Sequence, residues 1–134
     1  MDNGGSKREM YLDGHPSLEG RVIFTNANPG DPDAAFVKRN SPVGSSADIM
    51  DLISQGYLVR TRADGDTIQS RENDPSQRDA ALATGAQFVS TDYPVPNLDF
   101  SEYFVQIPGG MPAACNPINA PAGCRNGSLE RLRP

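Results

Sequence analysis

Arg60, Arg62, Asp64, Asp92 and Tyr93 have the residue types and spacing of an anion-binding site. They close two short β-rich runs, Gly56-Tyr-Leu-Val-Arg-Thr-Arg-Ala-Asp64 and Gly85-Ala-Gln-Phe-Val-Ser-Thr-Asp-Tyr-Pro94, each entered from a glycine. An arginine pair at a strand end suits a phosphate-bearing substrate, because the planar guanidinium fork matches phosphate oxygens. Arg60 and Arg62 flank Thr61, so they share one side of their strand with Leu58. That side is either the lumen of a barrel or the layer facing the helices. A salt bridge from Arg62 to Asp64 or Asp92 is the structural alternative to a phosphate contact. Both hold together where a carboxylate orients a working arginine.

The elements that must position these residues alternate between strand and helix. Ser6 to Leu12 reads as a short helix stopped by Gly14 and Pro16. Arg21-Val-Ile-Phe-Thr-Asn26 is expected as a strand closed by Asn28-Pro29-Gly30, and Ala35-Phe-Val-Lys38 as another short one. Ser46 can cap a helix running to Gln55, with Ile49, Leu52 and Ile53 on one face and Gly56 just beyond its end. Strand Tyr57–Thr61 follows. Asp74-Pro75-Ser76-Gln77 then combines an N-cap, a proline and a glutamine three residues on, a helix start that runs to Gly85. Gln87 to Thr91 is the next strand. Short connections between alternating strands and helices imply parallel pairing.

This is the repeat of an α/β (β/α)8 barrel, whose strand C-termini carry the chemistry. A complete barrel needs roughly 200 residues or more, and the chain has 134. It therefore holds about half of what its own pattern calls for. Residues 1–96 are expected to form the partial barrel and 97–134 an irregular extension. Much of the proline and glycine, 12 and 13 residues in all, lies after Tyr93.

The net charge of −5 argues against nucleic acid as a partner, since no basic patch of the needed density exists. No run of about 18 apolar residues spans a membrane, and the polar start Met1-Asp-Asn-Gly-Gly-Ser is no signal peptide. Neither Asn3-Gly-Gly nor Pro108-Gly-Gly has the strand-to-helix context or the Lys-Ser/Thr of a phosphate loop. Cys115 and Cys124 frame a short Pro/Ala-rich loop and read as a disulfide clip on a tail without its own core. Zinc is excluded there, because no His or further Cys completes a tetrahedral site. A disulfide places the chain in an oxidising compartment, hence secreted.

The run Thr61-Arg62-x-Asp64, then Gly85-Ala-Gln-Phe-Val and Tyr93, resembles the last two barrel strands of phosphoinositide-specific phospholipase C. It is most similar to the bacterial, calcium-dependent branch. Leu18-Glu-Gly-Arg-Val-Ile-Phe resembles the strand that opens the second barrel half, and the resemblance covers roughly residues 1 to 124. Thr91-Asp-Tyr-Pro94 also resembles glycerophosphodiester phosphodiesterases, which share the barrel.

The resemblance implies a phosphodiesterase acting on a phosphoinositide or related lipid, with possible peripheral membrane contact. In the family the first barrel half supplies two histidines and most ligands of a Ca2+ ion, and the second half holds the inositol ring and its phosphates. This chain has one histidine, His15, in the helix-stop loop Gly14-His15-Pro16, where it reads as a surface residue. No catalytic residue is therefore assigned, and the chain reads as a C-terminal half that lacks turnover by itself. Asp2 resembles a calcium ligand at the end of a family strand, against the plainer reading of a frayed polar terminus. Arg62 then contacts phosphate or ring hydroxyls, with Arg60, Asp64 and Asp92 beside it. Tyr93 either stacks on the ring or packs as a rim aromatic on Pro94. Lys38 is a further phosphate contact or a solvated lysine. A non-catalytic binding fragment and an inert half barrel are the competing readings. Open sheet edges make self-association an expectation in each case.

Overall fold

The computed structural model describes residues 5–129. Its elements are α1 (Ser6–Leu12), β1 (Phe36–Lys38), α2 (Pro42–Ser54), β2 (Leu58–Arg62), α3 (Ile68–Glu72), α4 (Ser76–Ala83) and β3 (Phe88–Ser90). A 3-10 turn at Asn126–Ser128 follows. The three strands form one parallel sheet in the order β1-β2-β3, so the fold is mixed α/β. The register pairs Lys38 with Arg60, Arg60 with Phe88, and Arg62 with Ser90.

Alternation along each strand sorts the sheet into two faces. Val37 and Val59 point to the helix side and are fully buried with Ile49, Leu52 and Ile53 of α2. α2 packs on both β2 and α4, which places the two long helices on one face of the sheet. Tyr57, Ala86 and Ile118 complete this core. The opposite face carries Phe36, Leu58, Arg60, Arg62, Phe88 and Ser90. Phe36 stacks on Phe24 at 6.5 Å between ring centroids and meets Phe88 at 6.1 Å. Phe24 and Phe88 are exposed. This aromatic floor is an apolar surface that no described element covers.

Two expectations need correction. Arg21–Asn26 forms no strand. Ile23 N donates to the Tyr11 hydroxyl at 3.0 Å, and Ala27 N reaches only the Phe36 carbonyl at 3.4 Å. With no strand to pair against, the β propensity of Val22-Ile23-Phe24 is not enough, and all three side chains stay exposed. The helix expected from Ser46 begins instead at Pro42, whose fixed φ favours a first turn. It bends at Ser45 (φ −131°, ψ 25°), and the Ser46 hydroxyl donates to the Pro42 carbonyl at 2.5 Å rather than capping.

The start of α4 follows expectation in part. Asp74 Oδ1 accepts from Ser76 N at 2.9 Å and from its hydroxyl at 2.5 Å. Gln77 does not complete a capping box. It donates to the Arg62 carbonyl at 3.2 Å and ties the helix to β2. Helix α3 was not legible in the sequence.

Cys115 and Cys124 are bonded, with Cα atoms 5.9 Å apart. The clip holds a tail docked on the sheet. Asn116 Nδ2 donates to the Gly85 carbonyl at 2.6 Å. A Cβ at Gly85, where φ is +72°, would stand 3.1 Å from Pro117 and 3.2 Å from Ile118. Glycine is required there for both reasons. No described helix is long and apolar enough to cross a membrane.

Two ion pairs from Arg8 fasten α1 to the loop before β1. Arg8 reaches Asp33 at 2.5 Å and 2.9 Å and Asp31 at 3.0 Å. Thr25 donates to the same buried Asp33 at 2.5 Å. Burial pushes the Asp33 carboxyl up, but the hydrogen bonds from Arg8 and Thr25 outweigh it and hold its pKa below the ordinary value. The unfolded chain therefore binds this proton more readily than the folded one. The pair contributes stability above about pH 4, and that contribution disappears as pH falls through the lower, folded pKa. The midpoint of urea unfolding should accordingly fall below about pH 4. Asp33→Asn should lower stability at neutral pH and flatten that acid limb; an unchanged limb would assign it to other carboxylates.

Candidate functional site

The expected site residues come from the C-terminal ends of all three strands. Lys38 ends β1, Arg60 and Arg62 lie on β2, and Asp92 and Tyr93 follow β3. The register sets Lys38 beside Arg60 on the sheet face opposite the helices, with Arg62 two residues further along. Arg60 Nη1 donates to Asn40 Oδ1 at 3.0 Å. Arg62 Nη2 stands 3.8 Å from Asp92 Oδ2, and the two side chains are 34% and 63% exposed. That contact is an ion pair without a hydrogen bond, screened by solvent. Arg39 is taken out of the cluster by Asp48 of α2 at 2.5 Å.

Asp64 is placed differently from its expected role beside Arg62. It is buried, and its carboxylate accepts from Thr91 Oγ1, from Asp92 N at 2.9 Å and from the Tyr103 hydroxyl at 3.4 Å. A buried carboxylate without a cation needs such donors to offset its lost hydration. All of these partners belong to the chain's own loops. Asp64 fixes the backbone of Asp92, which in turn faces Arg62, and is a positioning residue.

Tyr93 is also engaged within the loops. It is buried, its hydroxyl donates to the Asp66 carbonyl at 3.2 Å, and its ring meets Tyr103 edge-on at 5.8 Å. Its work is to join the loops that follow β2 and β3.

Tyr103 was missed by the sequence reading. It lies in the segment assigned to the irregular extension, yet it is 2% exposed and its hydroxyl donates to the Ala63 carbonyl at 3.0 Å. Burial, and then the nearby Asp64 charge, push its phenol pKa well above the ordinary value, so it stays a hydrogen-bond donor. Ser101 Oγ donates to the Ser70 carbonyl at 2.5 Å, and Val105 N to the Tyr93 carbonyl at 2.9 Å. The one available signal was the aromatic run Phe100-Ser-Glu-Tyr-Phe104 inside an otherwise Pro/Gly-rich stretch.

Asp2 lies outside the described residues. Among the described residues, no three His, Cys, Asp or Glu side chains gather to hold a metal ion. The buried carboxylate at the strand ends, Asp64, is engaged by its own loops. The described residues therefore do not fit a calcium site of six or more oxygen ligands. His15 sits in the loop after α1, its Nδ1 2.6 Å from the Glu19 carbonyl oxygen.

The family model described as "Phosphoinositide phospholipase C, Ca2+-dependent" matches residues 1–117. No curated protein and no solved structure matches the chain.

Proposed function

The chain belongs to the Ca2+-dependent phosphoinositide phospholipase C family, and from that premise we propose that it is a barrel segment holding the phosphorylated headgroup of a phosphoinositide. The observation that carries this reading is the row formed by Lys38, Arg60 and Arg62 on the sheet face opposite the helices. Arg62 is held by its exposed neighbour Asp92 at 3.8 Å, a longer contact than the 3.0 Å hydrogen bond from Arg60 to Asn40. A phosphate can displace that carboxylate and take two parallel hydrogen bonds from the guanidinium. Arg60 and Lys38 add charge to the same anion, and Phe36 and Phe88 form an apolar floor beside them.

The division of labour follows from the residues present. Arg62, Arg60 and Lys38 bind and orient the phosphate, and Asp92 sets the resting position of Arg62. Asp64, Tyr93 and Tyr103 hold the loops in register. The phosphodiester-cleaving groups lie outside this set, so the chain alone binds without turnover. Ile68 at the start of α3 and Val95 and Leu98 in the loop beyond β3 are exposed, which suits a substrate presented at a lipid surface. The disulfide suits an oxidising, extracellular setting.

Calorimetric titration with inositol 1-phosphate, with unphosphorylated inositol as control, tests the reading. Saturable binding of the phosphate alone is expected, weakening as salt rises because both partners are charged. Recognition by the guanidinium fork itself predicts that chelation with EDTA leaves it unchanged. Equal binding of both compounds would sink the phosphate assignment. Loss of binding on chelation would move recognition from the arginines to a metal.

A further inference from the structure

On the helix side of the sheet lies a cavity of about 580 Å³, and we propose that it binds a neutral aliphatic chain. The inference is independent of the headgroup site. Val89, which lines the cavity, alternates with Phe88 and Ser90 of the opposite face. One wall is Leu82 of α4, Ala86 of the link after it and Val89 of β3; the other is Ile107, Pro112 and Pro117 from the tail. A volume of this size lies within the roughly 300–1,000 Å³ typical of small-molecule sites.

Charge and hydrogen bonding define the occupant. The ionisable side chain of the lining, Asp79, already pairs with Arg78 at 2.8 Å. Asn116 donates to the Gly85 carbonyl and accepts from Ile118 N at 2.9 Å. Gln87 accepts from Val59 N at 2.8 Å through its side-chain oxygen, and Cys115 is committed to the disulfide. The lining thus offers an anion no cation and matches an uncharged chain recognised by apolar burial. The tail wall has no helix or strand of its own next to the cavity, so the Cys115–Cys124 bond and the Asn116 contacts keep it in place. Binding should therefore depend on the disulfide.

The test is a calorimetric titration of the full chain with 1-dodecanol below its solubility limit. One saturable site per chain is expected. Ala114→Trp, which fills the cavity from the exposed tail, and Ala83→Trp, which fills it from α4, should each weaken binding by roughly tenfold or more, about 1.4 kcal/mol. Having two variants on opposite walls guards against one that misfolds, with circular dichroism as the check. Serine at both cysteines should weaken binding as well, while Arg62→Ala should leave it untouched. Absence of saturation, or unchanged affinity in both tryptophan variants, overturns the proposal. Loss of binding in Phe88→Ser would place the alcohol on the aromatic floor instead and overturn it too. A concentration-dependent dimer abolished by both tryptophan variants would show a second copy as the occupant, with the same consequence.

Discussion

Arg62→Ala should weaken inositol 1-phosphate binding by about 30-fold, on the order of 2 kcal/mol, the range for a lost charge-assisted hydrogen bond. The effect is expected to exceed that of Arg60→Ala, because Arg62 ends the row and its ion pair with Asp92 is 3.8 Å long. Arg60 is fixed to Asn40 and has less freedom to reorient. Arg62→Lys should recover part of the loss, since it restores charge without the planar fork. A structural role would leave binding unchanged and lower stability instead. Affinity and urea midpoint must therefore be measured on the same variants. Equal affinity for wild type and Arg62→Ala would assign the arginine to Asp92 alone.

The largest effect on stability is expected at Tyr103. Tyr103→Ala removes a fully buried aromatic side chain, a change that costs about 3–5 kcal/mol in comparable cores. It also frees the Ala63 carbonyl and one donor to Asp64. Tyr103→Phe separates the two contributions. It keeps the edge-on contact with Tyr93 and should cost only about 1–2 kcal/mol for the missing hydroxyl. Because Asp64 also fixes Asp92, the phenylalanine variant should bind inositol 1-phosphate more weakly although it touches no ligand. A Tyr103→Ala variant as stable as wild type in urea would mean that residues 97–105 do not hold the strand ends together.

These expectations separate what was written in the sequence from what was not. The strand around Arg60 and Arg62, the apolar face of α2, the Asp74 start of α4 and the cysteine clip were all legible. Each rests on a local period, cap or spacing that neighbouring residues supply. The pairing of Arg62 with Asp92 was one of two open choices, and register and loop path decided it against Asp64.

Arg21–Asn26 reads as a strand by composition, but pairing is a non-local property and no partner strand reaches it. Tyr93 and Asp64 have the chemistry of ligand contacts, yet burial turned both into ties between loops. Tyr103 gave no periodic signal, because its contacts are with Ala63 and Asp64, some forty residues away. Local sequence determined which residues could form strands, caps and an anion site. Only tertiary packing decided which of those polar side chains face solvent on the open sheet and which are used up inside.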